Sequence, residues 1–338
     1  MPWPVVGHER TVDFLRRSVA SGRTAQAYLI VGPPGVGKAT LGMLLAKAVN
    51  CEGEDPPCGR CAQCVRVDRG VHPDVVVIRR GMTFDEDEAG AGTRVGIGAI
   101  RQLIRDASLL PMAGRYRVFI VLDAETMTVE AANALLKTLE EPPPHVLIIL
   151  IAADDATLPE TVRSRCLRLE LRPVGTARVA ALLRERGVDP KLARLLAALG
   201  RGRVGRSLVL AQDAEWLRWR QELLDRQAGL VASGEPAGAL RWAQELAEAF
   251  GRDREQVFEA LDLLAEWWRD VLLVKVGAPE LITNLDREAE IRRAARDLTL
   301  DQVAEAIRQL WRARRLLDQN VHARLTLDNL VLGLPTLQ

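Results

Sequence analysis

The chain has 338 residues, 48% hydrophobic and 27% charged, too long for one ordinary core and typical of a soluble protein of two or three domains. Its 46 basic and 45 acidic residues nearly cancel, which excludes the basic footprint of a stand-alone nucleic-acid binder; any DNA contact must come from a local patch or from assembly. No secretory pattern opens the sequence, and the apolar run Val146 to Ala153 is too short to span a bilayer. With five cysteines, this predicts a cytoplasmic chain with reduced thiols and no membrane partner.

In chain order, Tyr28-Leu29-Ile30-Val31 reads as a buried strand leading into a glycine-rich loop, after which Leu41, Leu44, Leu45 and Ala48 recur at helical spacing. Further strand runs are Val75 to Ile78, Val118 to Leu122, Val146 to Ile151 and Cys166 to Leu171. Near-continuous apolar strands separated by helices predict a parallel sheet covered on both faces, a three-layer α/β domain over residues 1–172. Pro173 and Gly175 mark a joint. The stripes Val179-Leu182-Leu183 and Leu192-Leu195-Leu196-Leu199 then predict a small helical lid over 173–211. An all-α domain over 212–338 follows, with Val257, Leu261, Leu264, Trp268 and Val271 on one face and Val303, Ile307, Leu310, Trp311 and Leu317 on another. Six of the seven tryptophans fall in this last part, as bundle core or as a face packing on partner subunits.

The loop Gly32-Pro33-Pro34-Gly35-Val36-Gly37-Lys38-Ala39 follows a strand and opens a helix, the setting of a Walker A phosphate loop. Glycines let backbone amides wrap phosphates at a helix N-terminus, and Lys38 reaches the outer phosphates. The Ser or Thr that holds magnesium is replaced by Ala39, and Thr40 is turned away by about 100°. The strand at 118–122 runs into Asp123, expected to hold magnesium, then Ala124 where a water-activating glutamate belongs. Glu125 is expected on the opposite side by strand alternation. ATP hydrolysis by this chain alone is therefore not expected, while Gly32, Gly35, Gly37, Lys38 and Asp123 leave binding of ATP or ADP open.

Cys51, Cys58, Cys61 and Cys64 have six, two and two residues between successive members. Tight turns at such spacing aim thiolates at one metal, and four thiolates close a tetrahedral structural zinc site with no open position. Gly59 and Pro56-Pro57 supply the turns, and His72 is the one nearby competitor. The knuckle is expected to pin an excursion between the first sheet-domain helix and the second strand.

These residues resemble the bacterial DNA polymerase III clamp-loader subunits of the AAA+ class over most of the chain. The resemblance runs from Val6-Gly7-His8-Glu9 through the cysteine knuckle to Asn133-Ala134-Leu135-Leu136-Lys137-Thr138-Leu139-Glu140-Glu141-Pro142-Pro143, and on through Leu158-Pro159-Glu160-Thr161-Val162-Arg163-Ser164-Arg165-Cys166. Such a resemblance implies a P-loop (AAA+) α/β domain, a helical lid and a helical collar that drives oligomerisation. Motor subunits of the family, gamma or tau, carry a complete Walker pair; the delta prime type lacks it but keeps Ser-Arg-Cys. Ala39, Ala124 and the closing stretch Asn320 to Leu325 place this chain with the non-motor type, with an ATP-hydrolysing motor subunit as the alternative. The implied partners are motor subunits and a delta subunit, with sliding clamp and primer-template DNA reached through the complex. Arg165 is implied to act as an arginine finger on a neighbouring subunit's ATP, and Arg206 to sit at the sensor position. A zinc-dependent nucleic-acid-binding module is disfavoured, because no aromatics alternate with basic residues in the cysteine loop. Arg101 and Arg105 share a helix face that reads as solvated.

Overall fold

The computed structural model describes residues 3–82 and 92–336. Five strands, β1 (Ala27–Val31), β2 (Val75–Ile78), β3 (Arg117–Val121), β4 (Val146–Ala152) and β5 (Leu167–Glu170), form one all-parallel sheet in the order β2-β3-β4-β1-β5. Strands β1, β3 and β4 are buried on both faces, which is why their sequences run apolar without alternation. Register pairs Leu29 with Leu150 on one side and with Arg168 on the other. The edge strand β5 buries Leu169 and exposes Leu167, while Arg168 pairs with Asp155 and Glu170 and so charges the open edge.

Helices α1 (Glu9–Ala20) and α2 (Lys38–Asn50) bury Leu15, Leu41 and Leu45 in the same core as Tyr28, Ile30, Ile120 and Ile149. After α3 (Ala62–Asp68), helices α4 (Ile97–Ala107) and α5 (Val129–Glu140) contribute Ile100, Leu103 and Leu135 to a second core with Leu29, Phe119 and Leu150. The strand residues of the two cores alternate in parity, so the sheet is the middle of three layers. The one-turn helix α6 (Glu160–Arg163) leads into β5. All five expected strands and the covered parallel sheet are present.

The remaining helices are α7 (Thr176–Glu185), α8 (Pro190–Leu199), α9 (Val204–Leu210), α10 (Ala214–Ser233), α11 (Pro236–Arg252), α12 (Arg254–Lys275), α13 (Glu288–Asp297), α14 (Leu300–Asp318) and α15 (Ala323–Gly333). The chain divides into two compact units, Met1–Gly175 with Gly202–Arg206, and Thr176–Arg201 with Ser207–Gln338. In the helical unit the α12 stripe is buried as its spacing predicts, and Trp267 and Trp268 meet edge to face at 5.0 Å. The α14 stripe holds at Val303, Leu310 and Leu317 but not at Trp311, which is 55% exposed because one residue beyond Leu310 the helix has turned away from the core. Among the described residues no helix is long and apolar enough to cross a membrane.

The helical unit also buries a polar network that periodicity does not reveal. Arg220 on α10 is fully buried and donates to both Asp286 oxygens (2.7 and 3.0 Å) and to Asn284 Oδ1 (2.6 Å). Asp270 on α12 is also fully buried; its Oδ2 accepts the backbone N–H groups of Thr283 (2.9 Å) and Asn284 (2.7 Å) and the Asn284 side-chain amide (2.8 Å). Removing the acceptor orphans several buried donors at once, so Asp270→Ala should destabilise this unit by about 3 kcal/mol. Asp225→Ala, which deletes an exposed partner of Arg287, should cost under about 1 kcal/mol. Denaturant unfolding followed by tryptophan fluorescence checks both; equal effects would remove the network from the stability of the bundle.

Candidate functional site

Strand β1 ends at Val31, and the phosphate loop follows with Gly32, Gly35 and Gly37 at φ of +151°, +81° and +104°. These are conformations that side chains resist, and a Cβ on Gly32 would lie 2.1 Å from the Leu171 carbonyl oxygen. Helix α2 begins at Lys38, so its unpaired N-terminal amides open onto the loop. The Lys38 ammonium donates to the Gly32 and Pro33 carbonyls, the latter at 3.1 Å. Burial pushes the Lys38 pKa down, and the charges of Glu125 and Asp123 oppose that shift. The loop is tied to Gly202–Arg206: the Gly205 N–H donates to the Gly35 carbonyl at 2.7 Å, and a Cβ on Gly35 would lie 3.1 Å from the Arg206 nitrogen. Arg206 is thereby placed beside the phosphate loop.

The far side of the loop differs from expectation. Ala124–Thr126 form a 3-10 turn, so strand alternation no longer sets where side chains point. Ala124 is fully buried and joins the core that holds Val121 and Ala131. Asp123, at φ +52°, is 45% exposed and pairs with Arg80 at 3.0 Å. Glu125 is the residue that alternation misplaced: its charge reaches Lys38, its Oε1 accepts the Ala153 N–H at 3.1 Å, and its Oε2 is buried with no hydrogen-bond partner among the described residues. The available signal was that β3 ends before Asp123, where a turn rather than a strand period applies.

Arg165 lies between α6 and β5. Its Nε and one terminal nitrogen donate to Glu140 at the end of α5, and the other terminal nitrogen donates to the Thr161 carbonyl at 2.8 Å. The side chain is 33% exposed. Its neighbour Cys166 packs inward, and burial pushes that thiol up to about 12, so it anchors the turn without being reactive.

The Sγ atoms of Cys51, Cys58, Cys61 and Cys64 all lie within 4.8 Å of one another. Four sulfurs about 2.3 Å from a tetrahedral ion would stand about 3.8 Å apart, and Cys51 and Cys61 are already at 4.0 Å. Backbone N–H groups of Gly53 and Cys58 point at Cys51 Sγ, and that of Cys61 at Cys58 Sγ, each at 3.3 Å. The cluster is close enough to bind a metal ion, and the donors suit thiolates. Burial drives the Cys51 and Cys64 thiols up, while backbone N–H groups of Arg60 and Cys61 bring Cys58 down to about 6; a cation at the centre supplies what the buried pair needs to ionise. His72 is no ligand here, since Nδ1 accepts the Asp74 N–H at 3.0 Å and Nε2 bonds Gln63 Oε1 at 2.9 Å.

A family model described as DNA polymerase III, delta subunit, matches residues 7–175, and one described as DNA polymerase III, delta subunit, C terminal, matches residues 239–335. The chain belongs to this family. Similar proteins include DNA polymerase III subunit delta' of Bacillus subtilis, 28% identical over 96% of this chain and 95% of that one, and DNA polymerase III subunit tau of Escherichia coli, 30% identical over 92% of this chain. The chain spans 47% of the tau relative. A solved gamma subunit-related protein from Thermotoga maritima aligns over 94% of this chain and 96% of its own with a TM-score of 0.43 and 18% identity. The phosphate loop sits at the carboxyl end of an inner strand of the sheet, β1.

The thiol order can be read directly. In chelator-stripped chain at pH 7, iodoacetamide should alkylate Cys58 before Cys51 and Cys64, because a lowered thiol pKa means thiolate at that pH and a raised one means thiol. Peptide mass mapping over a time course checks it; equal rates at the three positions would contradict the assigned environments.

Proposed function

We propose that this chain is a non-motor, delta prime-type subunit of the DNA polymerase III clamp loader. In this reading it assembles with motor subunits (gamma or tau) and a delta subunit to place a sliding clamp on primer-template DNA. Family membership and the likeness to delta' along nearly the whole of both chains support the clamp-loader role. The observation that carries the non-motor assignment is Ala39, which removes the magnesium hydroxyl from an otherwise complete phosphate loop. Residues 1–172, 173–211 and 212–338 act as sheet domain, lid and oligomerising collar. Nucleotide, ATP or ADP, is held by Gly32, Gly35, Gly37 and Lys38 without being hydrolysed, with Asp123 and Arg206 at the margin of the site.

Arg165 acts in trans on a neighbouring motor subunit's ATP. Its exposed pair with Glu140 is worth at most about 1 kcal/mol, so the guanidinium can exchange a carboxylate for phosphate oxygens at little cost. Zinc fills the cysteine cluster: four thiolates in a closed tetrahedron select it, and it supplies folding free energy and no chemistry. The second reading, an ATP-hydrolysing motor subunit, is favoured by one observation, the Glu125 carboxylate held by the Ala153 N–H with its other oxygen buried, its charge reaching Lys38.

The test is magnesium-dependent ATPase activity, stimulated by DNA and clamp, of motor subunit mixed with this chain. The chain alone should be silent, the mixture active, and Arg165→Ala should lower the mixture's kcat by at least about 10-fold, a floor below the roughly 10³- to 10⁵-fold that an arginine finger can supply. Turnover by the isolated chain that is lost in Glu125→Gln, with Arg165→Ala harmless in the mixture, would establish the motor reading instead.

A further inference from the structure

The segment 109–116 connects α4 to β3 and carries an apolar tip: Leu110 and Met112 are 75% and 78% exposed, Leu109 53%. Loops with such exposed side chains are ordinarily loose. Here the backbone is held almost residue by residue. His145 Nε2 bonds the Leu109 carbonyl at 3.0 Å. The buried Asp74 carboxylate accepts the N–H groups of Met112, Ala113 and Gly114, each at 2.7 Å. Asn50 Oδ1 accepts the N–H groups of Arg115 and Tyr116 at 2.8 Å each, and its amide donates to the Tyr116 carbonyl at 3.1 Å. Gln63 Nε2 donates to the Ala113 carbonyl at 2.9 Å. The fit is close enough that a Cβ on Gly114 would stand 2.4 Å from Asn50 Oδ1.

Two of these anchors are sequence neighbours of the cysteine cluster. Asn50 immediately precedes Cys51, and Gln63 lies between Cys61 and Cys64 in the first turn of α3. Both are buried, at 1% and 5% exposure. Helix α3 has seven residues, too few to hold a turn unaided, so the position of Gln63 depends on whatever fixes Cys61 and Cys64. The Gln63 Oε1 also meets His72 Nε2, and His72 Nδ1 receives the Asp74 N–H, so a second path leads from Gln63 through His72 to the carboxylate that caps residues 112–114.

We propose that Gln63, with Asn50, couples the metal knuckle to the 109–116 segment, so that a filled cysteine site fixes the backbone that presents Leu109, Leu110 and Met112. In this view the knuckle is a positioning device for a surface element as well as a local brace. The inference rests on the metal assignment made above, and it concerns these residues whether or not the complex is assembled.

Amide hydrogen exchange of the full chain, zinc-loaded and chelator-stripped, tests it. Stripping should speed exchange across 112–116 by about 10-fold or more, with the α12 amides of the helical unit as an unchanged internal reference. Gln63→Ala, retaining one zinc per chain by elemental analysis, should speed exchange at 112–114 by about 5- to 10-fold, and Gln63→Glu should not rescue it because the donor to Ala113 is lost. A zinc-loaded Gln63→Ala chain whose 112–114 amides stay as slow as wild type overturns this inference alone. A chain that takes up no zinc overturns both this inference and the zinc assignment. If stripping unfolds the whole sheet unit, the Gln63→Ala comparison still decides the matter.

Discussion

The constraint on which the α/β unit depends is that its three inner strands are buried on both faces. A strand in that position cannot slip by one residue without driving a full set of side chains through the opposite layer. Register is therefore fixed, and so is the place where each strand stops. Val31, Val121 and Ala152 end three adjacent strands, and the chain that leaves them supplies the phosphate loop, the Asp123–Thr126 turn and the Ala153 N–H that holds Glu125. Chemistry-bearing residues that are far apart in sequence meet because the sheet permits them no alternative.

Beyond the strand ends, buried polar side chains take over the work of positioning. Asp74 keeps its carboxylate ionised against the effect of burial because three backbone N–H groups outweigh desolvation. In the helical unit Asp270 likewise accepts the backbone N–H groups of Thr283 and Asn284, while Arg220 holds the Asn284 and Asp286 side chains in place. In both units irregular backbone is made as definite as a strand by satisfying its N–H groups from a fixed side chain. The cost of that device is fragility: each anchor serves several donors, and losing one strands them all.

Much of this was legible in the sequence, and the reasons differ from place to place. Strands β1, β3 and β4 announce themselves because two-sided burial makes them near-continuously apolar, with Arg117 at the start of β3 the charged exception, and the glycines at 32, 35 and 37 because the loop needs positive φ. The cysteine spacing carried directly into a cluster of four sulfurs. Glu125 was misplaced because strand periodicity was carried past the residue where the strand ends. Trp311 was grouped with the stripe of Val303, Leu310 and Leu317, although its helical phase puts it outside the core. The Arg220 and Asp270 network was invisible, since a charged residue on a helix reads as solvent-facing until a partner from a distant loop is seen to neutralise it. The Glu140 partner of Arg165 was hidden for the same reason, 25 residues away in sequence.

Helix α2 is anchored at both extremities by different chemistry. Its first residue is Lys38 of the phosphate loop, and its last, Asn50, abuts the first cysteine of the cluster. Thirteen helical residues form a strut about 20 Å long, and its flank is wedged against the sheet by Leu41 and Leu45. Such a strut has neither a frayed end nor a free slide along its axis. A push on the phosphate-loop end of this helix can therefore be relieved only by moving the sheet or the cysteine segment with it.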